Sequence, residues 1–206
     1  MSVFPLPTEL KEACQYMPLF PLPRVVLFPG SVLRLHVFEP RYVQLLIDVL
    51  EGNNMFAIPM IDMQNLDVSR PSVFPVAGFG KVVHYEELPD NRYNIVVLGM
   101  GRIQIQEEMI TDRLYRIAGG LLLDEESENF DVIPIKQLFA QIMLRNSSLS
   151  GSLHTLLEEP FPPREFLYTL AQLIFASAEE KQQFLSTESI HQQGDIVTEK
   201  LAEALL

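Results

Sequence analysis

The 206-residue sequence contains a single cysteine, Cys14, and no uninterrupted apolar run as long as a membrane-spanning helix. One cysteine excludes an internal disulfide, and nothing else indicates secretion. The first 15 residues carry two prolines and lack a basic start before an apolar run, so they do not resemble a signal peptide. A span would need about 18 apolar residues in succession. These features predict a cytoplasmic protein that does not enter a membrane.

Basic side chains are scarce, since 15 Lys and Arg stand against 27 Asp and Glu, a formal net charge of −12. Residues 1–120 hold 10 basic and 13 acidic side chains, whereas residues 121–206 hold 5 and 14. Such a surface repels polyphosphate and argues against general nucleic-acid binding, although it allows a local basic patch on the first half. The change in charge balance also indicates two parts that join near residue 125.

Known catalytic and metal-binding motifs do not occur in this sequence. It has no P-loop, no nucleophile elbow and no zinc-protease helix motif. The four histidines do not have the spacing of metal ligands, and Cys14 lies in a predicted loop without a CxxC or histidine partner. We therefore predict no catalytic residue, no metal and no cofactor. The histidines are His36, His84, His154 and His191.

Paired glycines and paired carboxylates have simpler interpretations. Gly78-Phe-Gly80 and Gly99-Met-Gly101 lack the third glycine of a dinucleotide site, and we interpret them as bends between strands. Glu86-Glu87 and Glu107-Glu108 lie on predicted strands, where neighbouring side chains face opposite sides. That arrangement argues against either pair acting together as general acid and general base in catalysis.

The first half has the patterns of β-strands, with one helix between them. Residues 32–38 alternate apolar and polar side chains, and two β-rich runs within 80–99 flank Pro89-Asp90-Asn91, a natural hairpin turn. Further strands are predicted at 56–61, where a proline favours a sheet edge or a bulge, and at 101–108 and 114–123. The helix begins at Pro40 and ends at Gly52. Short strands at such intervals favour a small barrel or sandwich.

After an acidic break at 124–131, apolar residues recur with the period of a helix. Stripes follow Pro134 and Pro162-Pro163, and Ser177 and Glu180 have the spacing of a capping box. A last helix is weakened by Gly194. We therefore predict an α+β chain with two domains: residues 1–125, rich in strands with one inserted helix, and residues 126–206, a helical bundle.

Glu39 and Arg41 flank Pro40 at the predicted change from strand to helix. They could hold the amine or carboxylate of a ligand, but we favour a structural role. A carboxylate is stabilised at a helix N-terminus, and an arginine can donate to several carbonyls of neighbouring loops.

Two stretches resemble the N-terminal domain of Lon proteases: residues 18–42, with PLFPL, LFPG and LHVFEPRY, and residues 77–105. The later segment 153–206 is similar to the helical part that follows this domain. The resemblance implies a PUA-like pseudo-barrel and a module that recognises unfolded or exposed segments of protein substrates, in a chain too short for the ATPase and protease domains of Lon. One departure is Ile103, where the family usually has an aromatic residue. The motif residues, to which we assign a structural role, are Phe28, Pro29, Gly30, Phe38, Glu39, Pro40, Arg41 and Tyr42.

We thus predict a non-enzymatic module whose partners are protein or peptide clients, with weak self-association allowed by the sequence. An apolar cleft between the two halves is the predicted binding place. Phe79 and Tyr93 would line one wall, and Phe166 and Tyr168 the other, with core packing as the alternative role of all four. Two other functions stay open. PUA-like barrels of other families bind RNA, and a hydrolase with dispersed catalytic residues leaves no motif.

Overall fold

The computed structural model describes residues 6–64, 70–123, 130–145, 156–157 and 161–205. The chain divides into two compact units, Met1–Asp124 and Glu125–Leu206. In the described ranges, all six strands belong to the first unit and four of the six helices to the second, so the predicted α+β class is confirmed. No helix in these ranges is long and apolar enough to cross a bilayer.

The first unit contains two helices and a six-stranded sheet. Its helices are α1 (Pro7–Gln15) and α2 (Pro40–Leu50), and its strands are β1 (Met17–Leu19), β2 (Val32–Val37), β3 (Met55–Ile58), β4 (Val76–Leu88), β5 (Arg92–Glu108) and β6 (Arg116–Leu123). The second unit has helices α3 (Ile133–Arg145), α4 (Pro163–Ile174), α5 (Ala178–Ser186) and α6 (Ile190–Glu203).

The sheet closes into a cycle through its longest strand, β5. Its order is β2-β5-β4-β3-β1-β6, and β5 also pairs with β6. The first part of β5 pairs with β2, and its last part pairs with β6. Five strands therefore form a closed cycle of hydrogen-bonded pairs, and β2 continues along β5. All pairs are antiparallel except β1 with β3.

The predicted hairpin at Pro89-Asp90-Asn91 is confirmed, but the predicted bends at the glycine pairs were wrong. Strand β5 runs without interruption from Arg92 to Glu108. Across the β4–β5 pair Gly78 faces Arg102, Phe79 faces Gly101 and Gly80 faces Gly99, and the register shifts between Phe79 and Gly80. The glycines therefore lie inside two long strands at a bulge, a position that a sequence pattern cannot separate from a turn.

These glycines allow another segment to cross the sheet at very short distance. A Cβ atom on Gly78 would lie 1.8 Å from the carbonyl oxygen of Leu27, and one on Gly99 would lie 2.1 Å from that of Phe28. Two hydrogen bonds fix the crossing, from Gly30 N to Gly99 O at 3.0 Å and from Gly99 N to Ser31 O at 2.8 Å. Only residues without a side chain permit this contact.

The crossing segment ends in a tight turn. Ser31 N donates to Phe28 O at 3.1 Å, and Gly30 has a φ of 76°. Proline at the second position and a glycine with positive φ at the third are the pattern of a type II turn. The LFPG sequence is thus a turn that leads directly into β2.

Helix α1 was not predicted, and Cys14 lies in this helix rather than in a loop. Two prolines near the N-terminus conceal the helix in the sequence, yet Pro7 occupies the first turn, where no N–H is required. Glu9 then accepts a hydrogen bond from Leu6 N at 2.7 Å. Cys14 is fully buried, and burial raises the pKa of its thiol to about 12.

The proline in the predicted strand favoured a sheet edge or a bulge, and the edge is excluded because strand β3 has a neighbour on each side. It pairs with β4 on one side and β1 on the other. The strand ends at Ile58, and Pro59 follows it. The Pro59 nitrogen has no hydrogen to donate, and it lies just after the last strand residue. The Pro59 carbonyl still accepts from Leu22 N at 3.1 Å.

Helix α2 begins at Pro40, as predicted, and its apolar face packs on the sheet. Tyr42, Leu45, Leu46 and Val49 are buried in one hydrophobic cluster with Phe20 and Phe56 of the sheet region. The Tyr42 ring meets the Phe20 ring edge-on at 4.0 Å between centroids, and Tyr42 Oη donates to Pro21 O at 3.3 Å. Tyr42 therefore anchors the start of α2 to the segment after β1.

In the second unit, the predicted capping box of α5 is present. Glu180 N donates to Ser177 Oγ at 3.1 Å, and Ser177 N donates to Glu180 Oε2 at 3.0 Å. Gly194 has a packing role in addition to its helix-weakening effect, because a Cβ atom there would lie 2.2 Å from the Phe130 ring. The described helices after residue 130 agree with the predicted stripes.

Replacement of Gly78 by alanine should destabilise the first unit strongly. The new Cβ would overlap the Leu27 carbonyl and force the crossing segment away from the sheet, at a cost of about 3 kcal/mol. Denaturant unfolding followed by circular dichroism measures this change. Gly52→Ala is the matched control, since its nearest neighbour would be 3.6 Å away. Equal stability of the two variants would contradict the role of the crossing.

Candidate functional site

A cleft of about 320 Å³ opens on the first unit, between α2 and the loop that joins β5 to β6. Among the described residues, its lining includes four arginines and no carboxylate, which is unexpected in a chain of net charge −12. The described residues around it are Leu19, Pro21, Arg41, Tyr42, Ile61, Arg70, Pro71, Met109, Ile110, Thr111, Arg113, Leu114, Tyr115 and Arg116.

One wall is the first turn of α2. Arg41 pairs with Glu39 at 2.8 Å, and its guanidinium lies 4.5 Å from the centre of the Tyr42 ring. Burial raises the pKa of Tyr42, an effect that the Arg41 charge opposes. The sequence analysis placed Arg41 on carbonyls of neighbouring loops, whereas the structure places it on a carboxylate and a ring at the surface. Tyr42 supplies the link to a neighbouring loop instead.

The opposite wall is the segment before β6, which is held by polar side chains of α2. Leu114 N donates to Gln44 Oε1 at 2.8 Å. Asp48 accepts from Arg113 Nη1 at 2.9 Å and from Tyr115 Oη at 2.7 Å. Burial and then the Asp48 hydrogen bond raise the pKa of Tyr115. Because Gln44 and Asp48 are one turn apart, a single face of the helix positions the whole segment.

The floor is a cluster of two arginines on one carboxylate at the end of β5. Glu108 accepts from Arg116 Nε at 3.0 Å, and it also binds the Nη2 atoms of Arg116 and Arg70. Arg116 Nη1 donates to Pro71 O at 2.9 Å. Burial raises the pKa of Glu108, but the hydrogen bonds from Arg116 and Arg70 outweigh it and leave that pKa below 4.5.

Guanidinium groups face the solvent, and two of their three carboxylate partners lie behind them. The side chains of Arg41, Arg70 and Arg113 are 52%, 58% and 46% exposed, whereas those of Glu108 and Asp48 are 24% and 22% exposed. Since Arg70 and Arg116 share one carboxylate, this cluster has a net charge of +1. The four lining arginines and their three carboxylate partners therefore carry one net positive charge together.

Exposed apolar side chains lie beside these charges. Ile110 is fully exposed, and Leu114 is 62% exposed. Both belong to the lining, on either side of Thr111 and Arg113, and Met109 is partly buried beneath them. Solvent-exposed isoleucine and leucine at the mouth of a cleft are typical of a contact surface for apolar groups.

The structure places the four aromatic candidates from the sequence in protein interiors. Phe79 and Phe166 are fully buried, and Tyr93 and Tyr168 are 9% and 2% exposed. Phe79 and Tyr93 also belong to two different hydrophobic clusters, so they do not form one wall. In the second unit, Tyr168 packs edge-on against Phe184 at 6.2 Å. The core-packing alternative accounts for all four positions.

The motif residues divide into buried and surface groups. Phe28 and Tyr42 are buried, Pro29 and Gly30 make the turn, and Pro40 begins α2. Phe38, Glu39 and Arg41 are at the surface, with Phe38 60% exposed. Arg41 and Tyr42 are the two motif residues that line the cleft.

Sequence reasoning missed most of the cleft. Arg70, Arg113 and Arg116 were not singled out, and Glu108 was considered only as half of a carboxylate pair. The one indication of the cleft in the sequence was the distribution of basic residues, because 10 of the 15 lie in the first 120 positions. No group of His, Cys, Asp and Glu among the described residues could hold a metal ion.

Comparison with known families gives a match over most of the chain. The profile of the family described as "ATP-dependent protease La (LON) substrate-binding domain" matches residues 16–203. Lon protease 2 of Sorangium cellulosum is 32% identical over 120 residues, which are 54% of this chain and 15% of that protein. Lon protease of Anaeromyxobacter dehalogenans is 22% identical over 191 residues, 90% of this chain and 23% of that protein. The chain thus spans less than a quarter of the length of these relatives.

Solved structures show the same fold. The N-terminal domain of Mycobacterium avium complex Lon protease superposes with a TM-score of 0.73 at 13% identity, covering 91% of this chain and 98% of that one. A Lon N-terminal domain protein from Xanthomonas campestris gives a TM-score of 0.64 at 22% identity, covering 86% and 94%.

Replacement of Arg41 by alanine should change stability by less than about 1 kcal/mol, because an exposed ion pair and an exposed ring contact contribute little. Thermal unfolding of the variant and the wild type tests this. A loss above about 2 kcal/mol would show that Arg41 holds buried groups after all.

Replacement of Glu108 by glutamine should lower the free energy of unfolding at pH 7 by about 2 kcal/mol, since two guanidinium groups lose their charged partner. The pKa of Glu108 is depressed in the folded state, so its contribution is full above pH 4.5 and is lost as the pH falls through the folded pKa. The difference between variant and wild type should therefore shrink in denaturant unfolding as the pH is lowered from 4.5 through the folded-state pKa. Glu107→Gln, its exposed neighbour, is the control and should show no such trend.

Proposed function

The chain belongs to the Lon substrate-binding domain family, and we propose that it recognises unfolded or exposed segments of other proteins without catalysing a reaction. We further propose that the clients bind in the cleft between α2 and the β5–β6 loop. The observation that carries this proposal is the cleft itself, which combines exposed apolar side chains with fixed donors. This is the composition that peptide recognition requires.

The shape and position of the cleft support a peptide as the ligand. Its volume of about 320 Å³ is at the lower end of ligand sites and suits a few side chains of an extended segment. Hydrogen bonds to Gln44 and Asp48 of α2 fix its walls, so binding requires little ordering of the protein. A client, by contrast, loses conformational entropy, and we expect micromolar affinity.

The groups in the cleft support binding over catalysis. Arginine does not give up its proton near neutral pH, and a tyrosine with a raised pKa also stays protonated there, so neither can act as a general base. The described lining has one aliphatic hydroxyl, Thr111, and none of the described lining residues is a histidine or carboxylate that could activate it. A cleft between the two halves of the chain stays a prediction of the sequence analysis.

RNA binding is the second candidate, because four arginines in one cleft are a specific observation in its favour. Two facts favour protein clients. The overall charge of −12 repels a polyphosphate chain, and Ile110 and Leu114 offer apolar contacts that a phosphate backbone does not use.

The test is a titration of a reduced, iodoacetamide-alkylated protein and of a short RNA at 50 and 300 mM salt. We expect micromolar binding of the unfolded protein, with a much smaller change between the two salt concentrations than RNA binding would show. RNA affinity, if any, should fall far more steeply as counterions compete. Salt-sensitive RNA binding without binding of the unfolded protein would reverse the order of the two candidates.

The double variant Ile110→Ser/Leu114→Ser locates the site. It should weaken binding of the unfolded protein about five- to tenfold, because two apolar contacts are lost. Leu144→Ser/Leu173→Ser is the control, since both leucines are exposed outside the cleft. Equal effects of the two pairs would place the clients elsewhere.

A further inference from the structure

We infer that the cleft selects client segments that carry acidic side chains between apolar ones. This inference rests on the proposed function and names the class of client. It follows from the convergence of four guanidinium groups on one cleft whose rim is apolar. A purely apolar client would leave those charges partly desolvated and without new partners, which costs affinity.

The guanidinium groups keep donors for a second carboxylate. Arg41 binds Glu39 through Nε and Nη2, and Arg113 binds Asp48 through Nη1. Each guanidinium has five N–H donors, and both side chains are about half exposed. An incoming carboxylate can therefore bind the outer edge of either group without breaking its internal pair.

The charge count also favours an anion. Glu108 neutralises one of the two arginines that share it, so one positive charge at the floor is not balanced. Arginine binds carboxylates through two parallel hydrogen bonds, which gives geometric selectivity that lysine lacks. The surface offered to a client is thus a positive floor within an apolar rim.

Local attraction outweighs the overall negative charge at ordinary salt. The screening length is about 8–10 Å at 0.1–0.15 M ionic strength, so most of the chain's acidic residues are screened from a ligand in the cleft. The contacting guanidiniums are not, because they lie at hydrogen-bond distance from the bound carboxylate. The overall negative charge would outweigh the local attraction only at very low salt.

We assign the bound carboxylate to acidic side chains within the client segment rather than to the C-terminus of the client. Arg113 is followed directly by exposed Leu114, so a charged and an apolar group are neighbours along the cleft wall. An extended client also places different side chains at neighbouring positions. An acidic residue flanked by apolar ones can then meet both kinds of group.

Three fluorescent decapeptides that differ at two internal positions test the inference. They carry Glu, Gln or Lys at these positions within the same apolar sequence, and all are acetylated and amidated. Fluorescence anisotropy at 100 mM salt should show the Glu peptide binding about five- to tenfold more tightly than the Gln peptide, as expected for two half-exposed charge-assisted contacts. The Lys peptide should bind more weakly than both. At 500 mM salt the preference for Glu should fall below about twofold.

The variant Arg41→Gln/Arg113→Gln should remove the preference for Glu, so that the Glu and Gln peptides bind to it with affinities within about twofold of each other. Arg34→Gln/Arg92→Gln makes the same change in net charge at two exposed arginines outside the cleft and should keep the preference. Circular dichroism checks that each variant is folded. If the first pair does not fold, Arg41→Gln alone should reduce the preference about twofold.

Separate measurements distinguish failure of the acidic preference from failure of the proposed function. Equal binding of the Glu and Gln peptides would overturn the acidic preference and leave the proposed function standing. No binding of any peptide or of the unfolded protein would overturn both. Equal loss of the preference in the control pair would overturn the assignment to the arginines of the cleft.

Discussion

The contact between the Leu27–Phe28 backbone and the glycines of β4 and β5 sets the course of the whole first unit. Because Gly78 and Gly99 have no side chain, the chain can cross the sheet in direct contact with it. The turn at Gly30 is then hydrogen bonded to β5 and places β2 beside that strand. Strand β2 leads into α2, and α2 holds the segment 113–115 that forms the far wall of the cleft. The position of every cleft residue on α2 therefore depends on a contact made only by backbone atoms.

Electrostatics in the cleft follow from the depth of the carboxylates. An exposed ion pair presents both signs to solvent, and its field cancels within a few ångströms. Here Asp48 and Glu108 are largely buried, while the arginines that they bind extend outward. The same pairing that orders the arginines therefore leaves a positive surface. The depressed pKa of Glu108 is a consequence of that arrangement, since two guanidiniums stabilise its charged form more than burial opposes it.

Local signals in the sequence predicted local structure well. Pro40 and Gly52 bounded α2, Pro89-Asp90-Asn91 gave the hairpin, and Ser177 with Glu180 gave a helix start, because each depends on residues a few positions apart. The failures involved distant partners. The role of the glycine pairs follows only from the crossing of Leu27 and Phe28 over them. The arginines at positions 41, 70, 113 and 116 are far apart in the sequence, and the pairing of β5 with β6 helps to bring them together. No periodic pattern contains that information. Apolar residues such as Phe79 were also poor guides, because a sequence does not distinguish an aromatic residue of the core from one of a binding surface.

The closed cycle of strands has a consequence for how the cleft comes into being during folding. Its floor requires β6 to reach β1 and β5 at once, with Arg116 opposite Leu19 from near the start of the chain. Such long-range pairing forms late, since loop-closure entropy must be overcome before the contacts contribute. A nascent or partly unfolded copy of the unit would therefore lack the cleft altogether. Under the proposed function, the chain would bind disordered segments only after its own first unit has folded, and folding intermediates would not bind each other through this surface.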